Sequence, residues 1–388
     1  MGNFETKPKR IAEMDYMKGL GILLIMVFHL VFRPMLGVAD YVIKALGWAF
    51  IGIFFLLAGY NSKPDREVRE NYKHRIVRLL IPVVITEFVL LTLGGIYCIL
   101  VHHYKISDVF HDAVVIFLRP ELSSRIAAGS GGDWGQGSVL FNNLSPVWYV
   151  WSMVWTELFF HPLRKLIEGK GEKAWIILFL ILLAIQVPMY VFLQPAPWSL
   201  TIVPTFVMFM LIGAKLREWD AFGRLARIPA RHAVWISILC FAAHFGLFYL
   251  DGDESYYASI YGKNGAWDVF AVIIQAVIFF PAIYFLARGL GRLGILSKAM
   301  SWLGRHTIPI LLMHDLFAMV YADILHNYIK PGPQYWYLEP SGIEPTFEII
   351  GKSILTLVLS LLTCIPMAML WDKAVGFMFK KRQKSTEA

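Results

Sequence analysis

The chain has 388 residues, of which 57% are hydrophobic and only 16% are charged, and its mean hydropathy is +0.57. Soluble domains carry about a quarter charged residues, so this composition excludes an ordinary soluble fold and indicates a chain that lies mostly in a lipid bilayer. The net charge of +8 is interpreted as an excess of Lys and Arg in cytoplasmic loops, and not as a nucleic-acid-binding surface.

Ten apolar segments are long enough to cross a bilayer as helices. In chain order they cover residues 16–34, 42–60, 77–102, 146–163, 174–193, 198–215, 232–250, 267–288, 306–327 and 349–371. Between the third and fourth segments, Ile106 to Leu118 are predicted to form an interfacial helix. We therefore predict an all-α, polytopic integral membrane protein with ten transmembrane helices.

The basic residues of the loops predict how the chain is oriented in the membrane. If the N-terminus is cytoplasmic, the cytoplasmic segments hold 27 of the 36 Lys and Arg residues, the outer segments hold eight, and Lys18 lies within the first span. This asymmetry favours an even number of spans with both termini in the cytoplasm. We expect one transmembrane domain over residues 1–372 and a basic cytoplasmic tail over 373–388. The first span has no small-residue cleavage site after it and is predicted to be retained.

The first span carries ionisable residues on one side. At 100° per residue, Asp15, Lys18, His29 and Arg33 fall within a stripe about 60° wide. Ionisable groups inside a membrane usually serve function and face a protein interior or a watery cavity. The alternative is that Asp15 and Lys18 lie at the interface and that His29 makes an ordinary interhelical hydrogen bond. Lys18 and His29 are about 16 Å apart along the helix axis, a spacing that suits a long ligand with an anionic head at the cytoplasm.

Five stretches of the sequence carry a resemblance to a known family. They are the run from Arg10 through Asp15, Lys18 and Gly19 to His29; FFLLAGY at 54–60; HRIVRLLIP at 74–82, with Arg75 and Arg78; LSPVWYVWSMVWTELFFHPL, with Glu157; and WLGRHTIPILLMHDLF at 302–317, with His314. In this order the motifs resemble the membrane-bound acyltransferase 3 family. Ala58 stands where that family usually has Ser, and Ile310 where Tyr is common.

The resemblance implies an enzyme of the inner (plasma) membrane that O-acylates cell-envelope polysaccharides or other glycans. The acyl donor would be acyl-CoA, with acetyl-CoA expected, and the acceptor a hydroxyl of a glycan or lipid-linked sugar. Carried over by motif, Arg10, Lys18, Arg75 and Arg78 would bind the phosphates of CoA, which Arg and Lys recognise through charge-assisted hydrogen bonds. Positive-inside topology is the alternative explanation for these basic residues.

The catalytic residues implied by the resemblance are His29, Glu157 and His314. Neutral imidazole can take the proton of an attacking hydroxyl, so His29 is predicted to be the general base. Asp15 is too distant along the helix to touch His29 and is given an orienting or structural role. Glu157 is the predicted carboxylate partner of His29, or else makes a hydrogen bond near the cytoplasmic end of its span. His314 is either a second site residue or a contact between late and early helices.

Two further points bound the prediction. Cys98, Cys240 and Cys364 lie in apolar runs and there is no metal-binding motif, so we expect neither disulfides nor a metal. A transporter or flippase for a sugar or small polar molecule is the alternative function, because ten spans with intramembrane charge and prolines also suit that class. The acyl group, the acceptor and the oligomeric state are left open.

Overall fold

The computed structural model describes residues 11–27, 29, 38–63, 67–72, 77–118, 147–192, 197–250, 266–325 and 347–384, and all regular structure in these ranges is helical. The helices are α1 (Ala12–Val27), α2 (Val38–Tyr60), α3 (Val68–Asn71), α4 (Val77–His102), α5 (Ile106–Leu118), α6 (Val147–Ile167), α7 (Gly171–Phe192), α8 (Val203–Glu218), α9 (Ala221–Ala226), α10 (Ala230–Leu250), α11 (Ala266–Leu290), α12 (Gly294–Arg305), α13 (Thr307–Ile324) and α14 (Phe347–Lys384). A 3₁₀ turn, Pro197–Ile202, precedes α8.

Each of the ten predicted segments overlaps a long helix, and the predicted helix at Ile106–Leu118 is confirmed as α5. Seven helices of the described ranges are long and apolar enough to cross a membrane: Leu79–Val101, Gly171–Met189, Pro197–Glu218, Ala230–Leu250, Ala266–Leu290, Thr307–Ile324 and Ile350–Phe377. The all-helical, membrane-spanning fold is thus confirmed. The count of ten crossings and the cytoplasmic position of both termini remain predictions.

The last helix crosses the predicted boundary between domain and tail. α14 runs without interruption from Phe347 to Lys384, past residue 372, and the division into a transmembrane domain and a basic cytoplasmic tail stays a prediction. Residues 373–384 contain good helix formers such as Ala, Lys, Arg, Gln and Met, and they continue a helix that the membrane segment has already nucleated.

Two helices, α2 and α8, pack closely at the centre of the bundle. A glycine on each helix allows the close approach. A Cβ at Gly59 would overlap the carbonyl oxygen of Met210, and one at Gly213 would overlap that of Leu56. Small residues bring helix backbones together in this way in membranes, where packing replaces the hydrophobic effect as the force between helices. The rings of Phe55 and Phe206 stack 3.9 Å apart in the same contact.

The first helix packs in the same manner against α12. A Cβ at Gly304 would overlap the carbonyl oxygen of Asp15, and a Cβ at Gly19 would overlap that of Met300. Because Asp15 and Gly19 lie on one side of α1, this contact turns that side toward the protein interior, as predicted for the polar stripe. Asp15 is buried and Lys18 is half-buried.

We expect Gly304→Ala to destabilise the protein by about 1–3 kcal/mol, because the added methyl group meets backbone and cannot be accommodated by a side-chain rotation. The thermal unfolding midpoint in detergent measures the effect. Gly246→Ala is the matched control, since Gly246 lies on α10 with open space around its Cβ position. Equal midpoints for the two variants would show that α1 and α12 are not in close contact.

Candidate active site

A cluster of two histidines and one aspartate forms where the end of α1 meets α13. Nδ1 of His29 lies 3.0 Å from Nε2 of His314 and 3.4 Å from Oδ1 of Asp315. The third distance, from Nε2 of His314 to Oδ1 of Asp315, is 3.1 Å. We call these three side chains the His–Asp cluster. His314 and Asp315 are buried, whereas the His29 side chain is 22% exposed, so His29 is the member that a substrate can reach.

The two imidazole rings point at each other. Their planes differ by only 6° and their centres are 5.2 Å apart. An imidazole nitrogen lies about 1.1 Å from its ring centre, given ring bonds of roughly 1.3–1.4 Å. A nitrogen-to-nitrogen distance of 3.0 Å therefore leaves room for this centre separation only if both nitrogens lie close to the line joining the centres. This is the geometry of a nearly straight N–H···N hydrogen bond.

The hydrogen-bond network assigns the tautomers of the two rings. Nδ1 of His314 donates to the carbonyl oxygen of Leu311 at 2.7 Å and approaches that of Ile310 at 3.2 Å. Because carbonyl oxygens only accept, Nδ1 carries the hydrogen, and Nε2 of the neutral ring is an acceptor. Nδ1 of His29 must then donate the bond between the rings. The lone pair of neutral His29 is consequently on Nε2, which is the atom able to take a proton from a substrate.

Asp315 supplies the carboxylate of the cluster. Its Oδ1 lies close to the N–H of His29, where an ionised carboxylate stabilises the positive charge that this ring gains when Nε2 takes up a proton. The same oxygen faces Nε2 of His314 at 3.1 Å.

Two imidazoles and a carboxylate also form a donor set that Zn²⁺ or Fe²⁺ accepts. The three ligand atoms all lie within 4.8 Å of one another. An ion bound by both nitrogens at about 2.1 Å would lie off the line between them, so each ring would need to turn by roughly 45°. The rings are instead aligned for a hydrogen bond, and the absence of a metal stays a prediction.

Glu157 has a different neighbour from the one expected. Its Oε2 accepts a hydrogen bond of 2.8 Å from Nε2 of His161, one turn further along α6, and both side chains are buried. The carboxylate that the structure places beside His29 is that of Asp315. The sequence signal for it was an acid directly after His314 in an otherwise apolar run, which motif spacing did not single out.

The predicted CoA-binding residues are only partly described. Arg10 and Arg75 lie outside the described residues, and Arg78 is in the first turn of α4. Lys18 lies on α1, half-buried, on the helix that ends beside His29. That the spacing from Lys18 to His29 matches the length of a bound ligand therefore remains a prediction.

Sequence reasoning also missed a buried acid on α4. Glu87 is 1% exposed and its Oε2 accepts a hydrogen bond of 3.0 Å from Nε1 of Trp151. Its Oε1 has no partner among the described residues. An acid in the middle of the apolar run VVITEFVLL was the available signal. The indole of Trp151 lies near that of Trp198, a residue with a positive φ of 53° in the turn before α8.

These observations define a multi-pass, α-helical membrane protein in which a partly exposed histidine just beyond its first helix contacts a buried histidine of a late helix. The family profile described as an acyltransferase domain matches residues 11–365, which is nearly the whole chain. The chain therefore belongs to the membrane-bound acyltransferase 3 family, as the motifs predicted. No curated protein and no solved structure matches it.

Proposed function

We propose that this membrane acyltransferase moves an acyl group, expected to be acetyl, from cytoplasmic acyl-CoA to a hydroxyl of a cell-envelope glycan or lipid-linked sugar. The observation that carries the proposal is the His–Asp cluster, in which a partly exposed imidazole has its Nδ1 directed toward a buried imidazole and a buried carboxylate. Imidazole held in one tautomer by such a partner is the usual general base of acyl transfer.

In the proposed reaction, Nε2 of His29 takes the proton of the acceptor hydroxyl as its oxygen attacks the thioester carbonyl carbon. The new C–O bond forms, the C–S bond breaks, and the protonated His29 returns the proton to the thiolate sulfur, which leaves as CoA. Asp315 and His314 stabilise the transient positive charge on His29 from the Nδ1 side. His29 is thus the catalytic residue, and Asp315 and His314 are positioning residues.

The inner membrane is the proposed location, and the donor reaches the site from the cytoplasm. Lys18 lies on α1 and His29 follows two residues after its last residue, Val27; helical spacing predicts about 16 Å between them along the axis. A donor whose phosphates lie near the cytoplasmic end and whose thioester lies deeper has the extended shape of acyl-CoA. Glu157 remains a proposed site residue because its carboxylate accepts a hydrogen bond from His161.

The test uses purified protein in lipid nanodiscs with acetyl-CoA and a panel of envelope glycans, and measures free CoA thiol. We expect release of CoA that depends on the glycan. Release that is absent with every glycan, together with sugar flux in proteoliposomes, would favour a transporter and overturn the proposal.

A further inference from the structure

A shallow depression, open to solvent, lies where the end of α2, the short helix α3 and the last turns of α6 meet. Its polar lining consists of Lys63, Asn71, His161, Arg164, Lys165 and Glu168. All of these residues except His161 lie in or beside the segments 61–78 and 164–173, which the loop charges predict to be cytoplasmic. The pocket is therefore separate from the His–Asp cluster, which belongs to α1 and α13.

Positive charge dominates this pocket. Three cationic side chains line it against the one carboxylate of Glu168, which leaves a net charge of about +2 when His161 is neutral. Glu168 pairs with Lys165 at 2.6 Å. Lys63 is exposed and has no ionic partner among the described residues.

The turn that carries Lys63 is held in place by two arginines from different helices. Arg164 of α6 donates to both the hydroxyl and the carbonyl oxygen of Ser62, and Arg217 of α8 donates to the same carbonyl at 2.5 Å. Next to Asn71 in the sequence, the hydroxyl of Tyr72 donates to the carbonyl oxygen of Leu158 at 2.6 Å. The walls are therefore fixed relative to α6, and a ligand meets cations that are already positioned.

His161 forms the inner wall of the pocket. Its Nε2 donates to Glu157, so the orientation of the ring is fixed by a buried carboxylate. Nδ1 of the neutral ring is then an acceptor and becomes a donor to an anion only when the ring is protonated. The side chains of Lys and Arg are the groups of the lining that bind phosphate oxygens through charge-assisted hydrogen bonds.

We propose that this pocket binds a phosphate monoester, and that the group is the 3′-phosphate of the CoA donor. The binding chemistry is argued from the pocket alone, whereas the identity of the donor rests on the proposed function. A phosphate monoester carries close to two negative charges at neutral pH, which matches the charge of the pocket. Most lipid headgroups are phosphodiesters with a single negative charge at the phosphate. Asn71 of the lining is four residues before Arg75, a predicted CoA-binding residue, in the sequence.

The experiment measures binding of CoA and of dephospho-CoA, which lacks the 3′-phosphate, by calorimetry in zwitterionic nanodiscs. We expect the wild type to bind CoA more tightly than dephospho-CoA, and Lys63→Gln to weaken CoA binding about threefold to tenfold while leaving dephospho-CoA unaffected. Lys170→Gln is the matched control, since Lys170 is exposed in the same predicted cytoplasmic loop as Lys165 but does not line the pocket.

Equal affinity of the wild type for the two forms, or a preference for CoA that survives Lys63→Gln, would overturn the proposal. A second arm adds phosphatidic acid to the nanodiscs and measures its retention by each variant. If Lys63→Gln lowers lipid retention and leaves CoA binding unchanged, the occupant is a lipid phosphate and the assignment to the donor is wrong. The binding measurement does not depend on turnover, so it tests the pocket separately from the proposed function. If CoA binds through Lys63 but the protein transfers no acyl group, the proposed function is wrong and the assignment of the pocket stands.

Discussion

His29→Ala is expected to lower kcat of acyl transfer by about 10²–10⁴-fold, the usual contribution of a general base. The substitution removes the Nε2 lone pair that takes the proton of the acceptor hydroxyl, and no other group of the His–Asp cluster is as exposed as His29. The measurement is acceptor-dependent CoA release by the purified variant. Since the proposed defect is in proton transfer, added imidazole should restore part of the rate.

The matched control for this variant is His232→Ala. His232 is an exposed histidine in the first turn of α10, on the side of the protein predicted to be cytoplasmic. We expect it to retain wild-type turnover. Membrane insertion and the thermal unfolding midpoint of His29→Ala should stay near those of the wild type. Full activity of His29→Ala would remove this residue from the mechanism.

Asp315→Asn is expected to lower kcat by roughly 10- to 1000-fold and to leave KM for acyl-CoA within about twofold. The amide keeps the size of the side chain but no longer carries the negative charge that stabilises protonated His29. Since the charge matters only while His29 holds the extra proton, the loss belongs to the chemical step and not to donor binding. Steady-state kinetics with varied acyl-CoA separate the two constants.

Asp323→Asn provides the comparison on the same helix. Asp323 accepts a hydrogen bond of 2.7 Å from the hydroxyl of Tyr97 and lies about two turns from the cluster. An amide oxygen can keep that bond, so turnover should change little. If both aspartate variants lose the same activity, Asp315 has a general structural role and is not a positioning residue for His29.

The sequence predicted the helices well because a helix needs a minimum length to cross a membrane. About twenty apolar residues are needed to cross the hydrocarbon core, and this requirement is visible in a single chain. The helices α4, α7, α10 and α11 accordingly follow their predicted segments closely. α14 continues past its predicted span of 349–371, because once a long helix has formed, further residues extend it at little cost.

The site was predicted in part. His29 and His314 were selected independently from motifs 285 positions apart, and the structure brings their ring nitrogens to 3.0 Å. That distance shows the predicted contact between a late and an early helix, while a role of His314 in the chemistry remains a proposal. Asp315 could not have been selected as the carboxylate beside His29, because which of several buried acids reaches an imidazole depends on how α1 and α13 pack.

The close contact between α1 and α12 shows the same limit of sequence reasoning. Gly19 and Gly304 belong to distant parts of the chain, and neither has a neighbouring glycine pattern that marks a contact between helices. Only the folded structure shows that each approaches a carbonyl oxygen of the other helix. That approach holds the first half of α1 against α12.

Mass spectrometry of envelope glycans tests the central claim, acyl transfer by this chain through His29, most directly. Glycans are compared from cells that lack the protein, cells with the wild type and cells with His29→Ala at equal membrane abundance. The account predicts an acyl group on a glycan hydroxyl in the wild-type cells alone. Glycans acylated to the same extent in all three, or equally by the wild type and His29→Ala, would contradict it.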